Sequence, residues 1–263
     1  MYPFLFPDLL GYTVELYDIM IGIGVVAMLF YVTNRFEKRD GFSRETTNKL
    51  LLLILLSLGF ALFSSWVFDG IFHTIESGEV EFGSITFIGG LIGGVIAFLV
   101  LLNVFYKSEK PHLKTIFNTI ITGVVLAHAF GRIGCFFAGC CFGIPTDSIF
   151  GVVFPYGHAK DLYPSQAIYP TQLFESAFLF ILFFTLDKYP RFKGIQTPVY
   201  LISYGVWRFL IEFIRGDDRG VLFVLFETKY NVFPTPSQFF SLLMFILGLY
   251  LLLTKTFKVK TSA

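Results

Sequence analysis

Long stretches of this chain carry almost no polar residue, and their lengths fit a bilayer. Seven apolar runs stand out, at about residues 14–33, 50–69, 84–106, 115–134, 170–187, 197–215 and 236–254, each near the ~20 residues an α-helix needs to cross a hydrocarbon core. Ten-residue segments of strict apolar–polar alternation, the mark of a membrane β-barrel, are absent. The pattern predicts an all-α polytopic membrane protein with seven transmembrane helices, built as a single integral membrane domain over residues 1–263. Between spans 4 and 5, at about 144–168, lies a longer polar stretch broken by Pro145, Pro155 and Pro164. It is too polar to cross and too short to be a domain, and it predicts a small outer cap. The aromatic, Pro-broken residues 1–13 suit an interfacial arm.

Composition agrees: 55% of the residues are hydrophobic and 15% charged, against about 25% charged in a soluble domain. The net charge of +1 excludes little, but the placement of charge orients the chain. Basic residues follow span 1 (Arg35, Lys38, Arg39, Arg44, Lys49), span 3 (Lys107, Lys110, Lys114), span 5 (Lys188, Arg191, Lys193) and span 7 (Lys255, Lys258, Lys260). With seven spans all of these fall on one side, so the positive-inside rule predicts the N-terminus outside and the C-terminus in the cytoplasm. No Lys or Arg precedes the first run and several follow it, the reverse of a cleaved signal peptide.

The charges that this rule does not explain lie in or at the ends of spans 4 to 6, all towards the predicted outer side. His128, Arg132 and Cys135 fall within about 60° of one another on a helix, because spacings of four and three bring side chains together. Gln172 and Glu175 share a face one turn into span 5. Arg208, Glu212 and Arg215 form a polar stripe at i, i+4 and i+7 near the end of span 6. An uncompensated charge in such a segment costs several kcal/mol, so these are candidate functional residues. Two arginines against one glutamate predict a positive surplus suited to an anionic head group. The glycine pairs Gly89/Gly93 and Gly90/Gly94 opening span 3 suit close helix packing, with a donor surface for a head group as the sharper alternative. No P-loop, dinucleotide fingerprint or Ser-His-Asp order is present, and nothing points to a nucleic-acid partner.

Four segments now carry a resemblance: Thr86-Phe-Ile-Gly-Gly-Leu-Ile-Gly93, Gly131-Arg-Ile-Gly-Cys-Phe-Phe-Ala-Gly139, Tyr169-Pro-Thr-Gln-Leu-Phe-Glu175 and Arg208-Phe-Leu-Ile-Glu-Phe-Ile-Arg215. In order and spacing the chain resembles the bacterial phosphatidylglycerol–prolipoprotein diacylglyceryl transferases over nearly its whole length. The resemblance implies an enzyme of lipoprotein biosynthesis in the bacterial cytoplasmic (inner) membrane, its site towards the outer leaflet. The diacylglyceryl group of phosphatidylglycerol passes to the lipobox cysteine thiol of a prolipoprotein, and a thioether forms. It implies Arg132 and Arg208 as phosphate-holding arginines and Glu175 and Glu212 as the acids; Arg215, Gln172, Gly89, Gly90, Cys135 and Cys140 are the further candidates for contact with the substrate. No cofactor and no metal is implied. The chain departs from the family pattern in placing Ile88 where His is usual, Cys135 and Ala138 for Asn, Cys140 for Glu, and Tyr169 for His. His128, on the face of Arg132, is then a candidate base.

Cys135, Cys140 and Cys141 leave four readings open: small polar packing, a disulfide on an oxidising side, a nucleophile, or a metal site. Their C-x4-C-C spacing is not that of a usual zinc ribbon. Two alternatives to the transferase stand beside it. One is a paralogue transferring a lipid-derived group to another acceptor through cysteine chemistry. The other is a non-catalytic lipid-binding or transport protein, for which the off-centre polar groups and absence of internal repeats are a poor match.

Overall fold

The computed structural model describes residues 4–9, 12–77, 87–217, 225–227 and 232–254. Arg219, Lys229, Lys255, Lys258 and Lys260 lie outside the described residues, as do the side chains of Asp69 and Ile88. Strands β1 (Phe4–Leu9) and β2 (Tyr12–Glu15) pair antiparallel, Phe6 opposite Val14. The N-terminal stretch expected as an interfacial arm thus makes strand pairing of its own. Helices α1 (Leu16–Lys38), α2 (Arg44–Ser77) and α3 (Phe87–Phe105) follow, then a 3₁₀ turn at Lys107–His112 and α4 (Leu113–Ala138). Beyond α4, β3 (Val152–Val153), α5 (His158–Leu162) and β4 (Ala167–Ile168) form the folded core of the predicted cap. Helices α6 (Thr171–Lys188) and α7 (Gln196–Ile211), the strand pair β5 (Phe226–Glu227) and β6 (Val232–Phe233), and α8 (Pro236–Leu253) complete the chain.

By length and composition, four helical segments among the described residues can cross a membrane: Leu16–Lys38, Arg44–Phe68, Lys107–Ala138 and Pro236–Leu253. The apolar part of α3 is shorter, and α6 and α7 bury polar and charged side chains. Large apolar side chains point outward along these helices, including Phe30 (73% exposed), Leu62 (64%), Val104 (63%) and Ile181 (67%). A soluble surface rarely tolerates so broad an apolar exposure, whereas lipid tails accept it.

Two compact units are formed, residues 1–32 with 117–263, and residues 33–116. In the second, α3 lies close along α2: a Cβ on Gly90 would stand 3.3 Å from Ala61 O, and Ser64 Oγ donates to Gly89 O at 2.9 Å. Glycine packing, the plainer of the two readings of this motif, is what these contacts show. In the first unit α1 runs antiparallel to α4, with Gly24 against Ala127 and Gly134 against Tyr17. Gly205 of α7 meets the Ser241 carbonyl of α8, where a Cβ would come to 2.8 Å. Lipid removes the hydrophobic drive between helices, so such small-residue contacts and interhelical hydrogen bonds must hold them. Tyr31 OH donates to Asp187 Oδ1 and Ser176 Oγ to Ala129 O, each at 2.9 Å, and contacts of this kind contribute about 0.6–2 kcal/mol each in a bilayer. Phe178 and Trp207 stack at 4.4 Å between α6 and α7. At the start of α8 Thr235 and Gln238 form a reciprocal capping box ahead of Pro236, which fixes where that helix begins.

Candidate active site

Three segments meet at one end of the first unit: the loop after α4, the entry to α6 and the exit from α7. Backbone hydrogen bonds tie them together, from Gly143 N to Tyr169 O (2.8 Å), Tyr169 N to Ile144 O (3.1 Å), Ile144 N to Ile214 O (2.9 Å) and Gly216 N to Phe142 O (3.0 Å). The approach leaves no room for side chains. A Cβ on Gly143 would sit 2.7 Å from Ile214 O, and one on Gly216 2.5 Å from Gly143 O. This crossing changes the end of α7. The helix stops at Ile211, one 3₁₀ turn covers Glu212–Ile214, and Arg215 is extended at φ −78°, ψ 143°. The expected helical stripe of Arg208, Glu212 and Arg215 therefore breaks after Glu212, because the Ile214 carbonyl is used by Ile144 rather than by a further helical turn.

Within this frame Glu175 is fully buried one turn into α6 and gathers three partners. Arg132 Nε lies 3.0 Å from Oε2, Tyr204 OH donates to Oε1 at 2.8 Å, and His128 Nε2 stands 3.9 Å from Oε1. His128 also packs edge-on against the Tyr204 ring, with centroids 5.3 Å apart. The spacing that put His128 and Arg132 on one face of α4 thus delivers both to the same carboxylate. The Arg132 contact is short but not directed: neither Nε nor Oε2 has an aligned hydrogen-bond partner. Of the pair, Arg132 is the accessible member, with 14% side-chain exposure against 0% for Glu175.

A second pair sits beside it. Arg208 Nη1 lies 2.7 Å from Glu212 Oε2, again without alignment, and Arg208 Nη2 donates to Ser237 Oγ at 3.0 Å. Glu212 Oε1 accepts from the Thr235 hydroxyl at 2.8 Å. The charge of Arg208 reaches both Glu175 and His128. Arg215 is different: it is fully buried and holds Asp217 in a two-pronged pair, Nε to Oδ1 and Nη2 to Oδ2, each 2.8 Å. Burial outweighs that arginine and raises the Asp217 carboxyl to about 6. Arg215, expected at the substrate, is here buried and paired with Asp217. Among the described residues, the positive surplus expected from the sequence gives way to three arginines each matched to an acid. Arg132 and Arg208 keep N–H groups that their acids leave undirected.

Over residues 4–254 the chain matches the family described as prolipoprotein diacylglyceryl transferase. The chain belongs to this family. A relative from Clostridium tetani (strain Massachusetts / E88), named phosphatidylglycerol–prolipoprotein diacylglyceryl transferase, is 32% identical over 259 residues, 95% of this chain and 96% of the relative. One from Clostridium perfringens (strain 13 / Type A), named phosphatidylglycerol–prolipoprotein diacylglyceryl transferase 2, is 33% identical over 258 residues, 93% and 92% of the two chains. A relative from Prochlorococcus marinus subsp. pastoris (strain CCMP1986 / NIES-2087 / MED4) with the first of these names is 29% identical over 280 residues, 95% of this chain and 92% of the relative. Family membership makes the chain a transferase and, with its apolar helices, a multi-pass membrane protein.

Gln172 is buried and its Nε2 donates to Cys140 O at 2.6 Å, while Thr171 Oγ1 donates to Cys141 O at 2.8 Å. Gln172 therefore fixes the loop after α4. Cys135, Cys140 and Cys141 are free thiols of intermediate burial. The neighbouring Cys135 and Cys140 thiols, with Arg215 and Arg132 nearby, hold Cys141 well below the ordinary thiol range, while Cys135 and Cys141 push Cys140 up. Gly89 and Gly90 belong to the other unit and are engaged with α2 as described. Tyr204, Thr235, Ser237 and Asp217 escaped the sequence reading. Only Thr235 carried a signal, the Thr-Pro-Ser-Gln start of α8.

Proposed function

We propose that the chain crosses a bacterial cytoplasmic membrane seven times, N-terminus outside and C-terminus in the cytoplasm, and forms one integral membrane domain. Its site, towards the outer leaflet, transfers the diacylglyceryl group of phosphatidylglycerol to the lipobox cysteine thiol of a prolipoprotein. The observation that carries this reading is the buried Arg132–Glu175 pair, open on its arginine side, in a chain whose relatives are named for that reaction. The acceptor sulfur forms a bond to the glyceryl carbon, the carbon–oxygen bond to phosphate breaks, and glycerol phosphate leaves with the electron pair. Arg132 and Arg208 meet the departing phosphate with the N–H groups that their own acids leave undirected. Glu175, steadied by Tyr204, positions Arg132; Glu212, steadied by Thr235, positions Arg208. His128 takes the thiol proton, next to a carboxylate that stabilises the imidazolium so formed.

Complementation of a strain depleted of its own transferase tests this. Wild type is expected to restore lipobox thioethers seen by mass spectrometry, and His128→Ala to abolish them with expression intact. Unimpaired transfer by His128→Ala sinks the assigned base. A second reading, a paralogue with another acceptor, is favoured by the thiols of Cys135 and Cys140, which stand where the resemblance expects Asn and Glu. It predicts no rescue by a folded, abundant wild-type protein.

A further inference from the structure

The three cysteines do more than replace polar side chains. Cys135 sits in the last turn of α4, and Gly139, at φ +66°, turns the chain back so that Cys140 N donates to Cys135 O at 3.2 Å. Cys141 then adopts φ +61°, a left-handed conformation that costs a non-glycine residue about 1–3 kcal/mol. The result of this local strain is convergence: the three Sγ atoms all lie within 4.8 Å of one another. Sulfurs sharing a tetrahedral zinc ion at about 2.3 Å each would stand about 3.8 Å apart, so shifts of an ångström or less make the cluster a three-sulfur cradle. The first turn of α6 secures its backbone, through Thr171 to the Cys141 carbonyl and Gln172 to the Cys140 carbonyl. Arg215 and Arg132 lie near enough to act on Cys141, an environment suited to surplus thiolate charge. Among the described residues no His, Asp or Glu joins the group. Three protein ligands and a vacant fourth direction are the pattern of a catalytic rather than a structural zinc site.

We propose that Cys135, Cys140 and Cys141 hold one zinc ion, and that its fourth position takes the acceptor cysteine as a thiolate. This rests on the transferase reading above. On coordination the acceptor thiol gives up its proton to His128, the assigned base, which lies within electrostatic reach of Cys141. The bound sulfur then supplies the electron pair for the new carbon–sulfur bond, and the pair of the broken carbon–oxygen bond departs on glycerol phosphate. Zinc is neither oxidised nor reduced, and no further reactant is required. Thiolate ligands select soft or borderline ions, and a redox-inert one suits an alkyl transfer.

The test uses the full chain, purified in detergent with its thiols reduced and no chelator. Elemental analysis is expected to show about one zinc per chain. Replacement by cobalt should give the strong visible bands of a tetrahedral site and a near-ultraviolet sulfur-to-metal band. Both should vanish in Cys140→Ser/Cys141→Ser, whose thermal unfolding shows whether it remains folded. Because unfolding of that variant would itself abolish the bands, Cys135→Ala, expected to weaken them, and a cysteine-containing against a serine-containing lipobox peptide are measured as well: the cysteine peptide alone should shift the visible bands. Reduced, folded wild type without cobalt bands, or with bands that ignore the cysteine peptide, overturns the proposal, as does transfer at full rate by metal-free protein. The last result leaves the transferase reading intact. Cobalt bands that answer to the peptide in a protein unable to convert phosphatidylglycerol keep the metal site and overturn the transferase reading instead.

Discussion

Glu175 is the residue on which the site turns, because it has no exposure and yet sits among Arg132, His128 and Tyr204. Removing its charge leaves Arg132 buried beside a neutral group, and breaking such a pair costs about 3–5 kcal/mol. Glu175→Gln should therefore lower the thermal unfolding midpoint of the detergent-solubilised protein as well as its activity. Tyr204→Phe removes the 2.8 Å hydroxyl contact to this buried carboxylate; a turnover loss of about tenfold and an unfolding midpoint lowered less than in Glu175→Gln are expected, in line with about 1.5–3 kcal/mol for a hydrogen bond to a charged group. Asp217 gives a pH signature. Its folded-state value of about 6 lies above the ordinary 3.8, so the folded protein holds this proton more tightly than the unfolded chain does. Stability from this group is therefore gained as pH falls through about 6 and lost as pH rises through it. Unfolding midpoints of wild type and Asp217→Asn between about pH 4 and 7 should diverge with that sign. Charges inside apolar runs were legible, which is why Arg132, Glu175, Arg208 and Glu212 stood out. Neutral hydroxyls such as Tyr204 and Ser237 were not, since a tyrosine or serine in an apolar helix has many ordinary uses.

At the scale of elements, the decisive feature is the crossing of three segments around Gly143, Ile214 and Gly216. It ends α7 early and turns Arg215 away from Arg208 towards Asp217. Helical spacing alone placed Arg215 on the stripe, and only the long-range bond from Ile144 N to Ile214 O reveals otherwise. A Cβ at Gly143 would meet Ile214 O and the Tyr169 side chain, each at 2.7 Å. Gly143→Val should cost about 1–3 kcal/mol through overpacking, read as a lower unfolding midpoint with weaker transfer. Element boundaries were the least legible part: α2 runs from Arg44 to Ser77, well beyond the apolar run at about 50–69. The α2 termini are polar, and polarity marks where a hydrocarbon core would end, not where a helix must.

For the whole molecule, the proposed seven spans with basic loops on one side make a testable topology. Single cysteines introduced at Asp40, Ser108 and Lys193 in a chain otherwise free of cysteine should be labelled by an impermeant thiol reagent only after the cytoplasmic face is opened. Labelling of any of them in intact spheroplasts contradicts the proposed orientation. Apolar run lengths made the helical membrane class legible, and four of the helices meet the length and composition of a span on their own. The central claim is tested most directly by purified protein in phosphatidylglycerol vesicles, given a lipobox peptide and its serine counterpart. The account predicts a peptide mass increase of one diacylglyceryl group on the cysteine peptide alone, reduced about 100-fold or more in Arg132→Ala. Equal transfer by Arg132→Ala, or none by folded wild type, would contradict it.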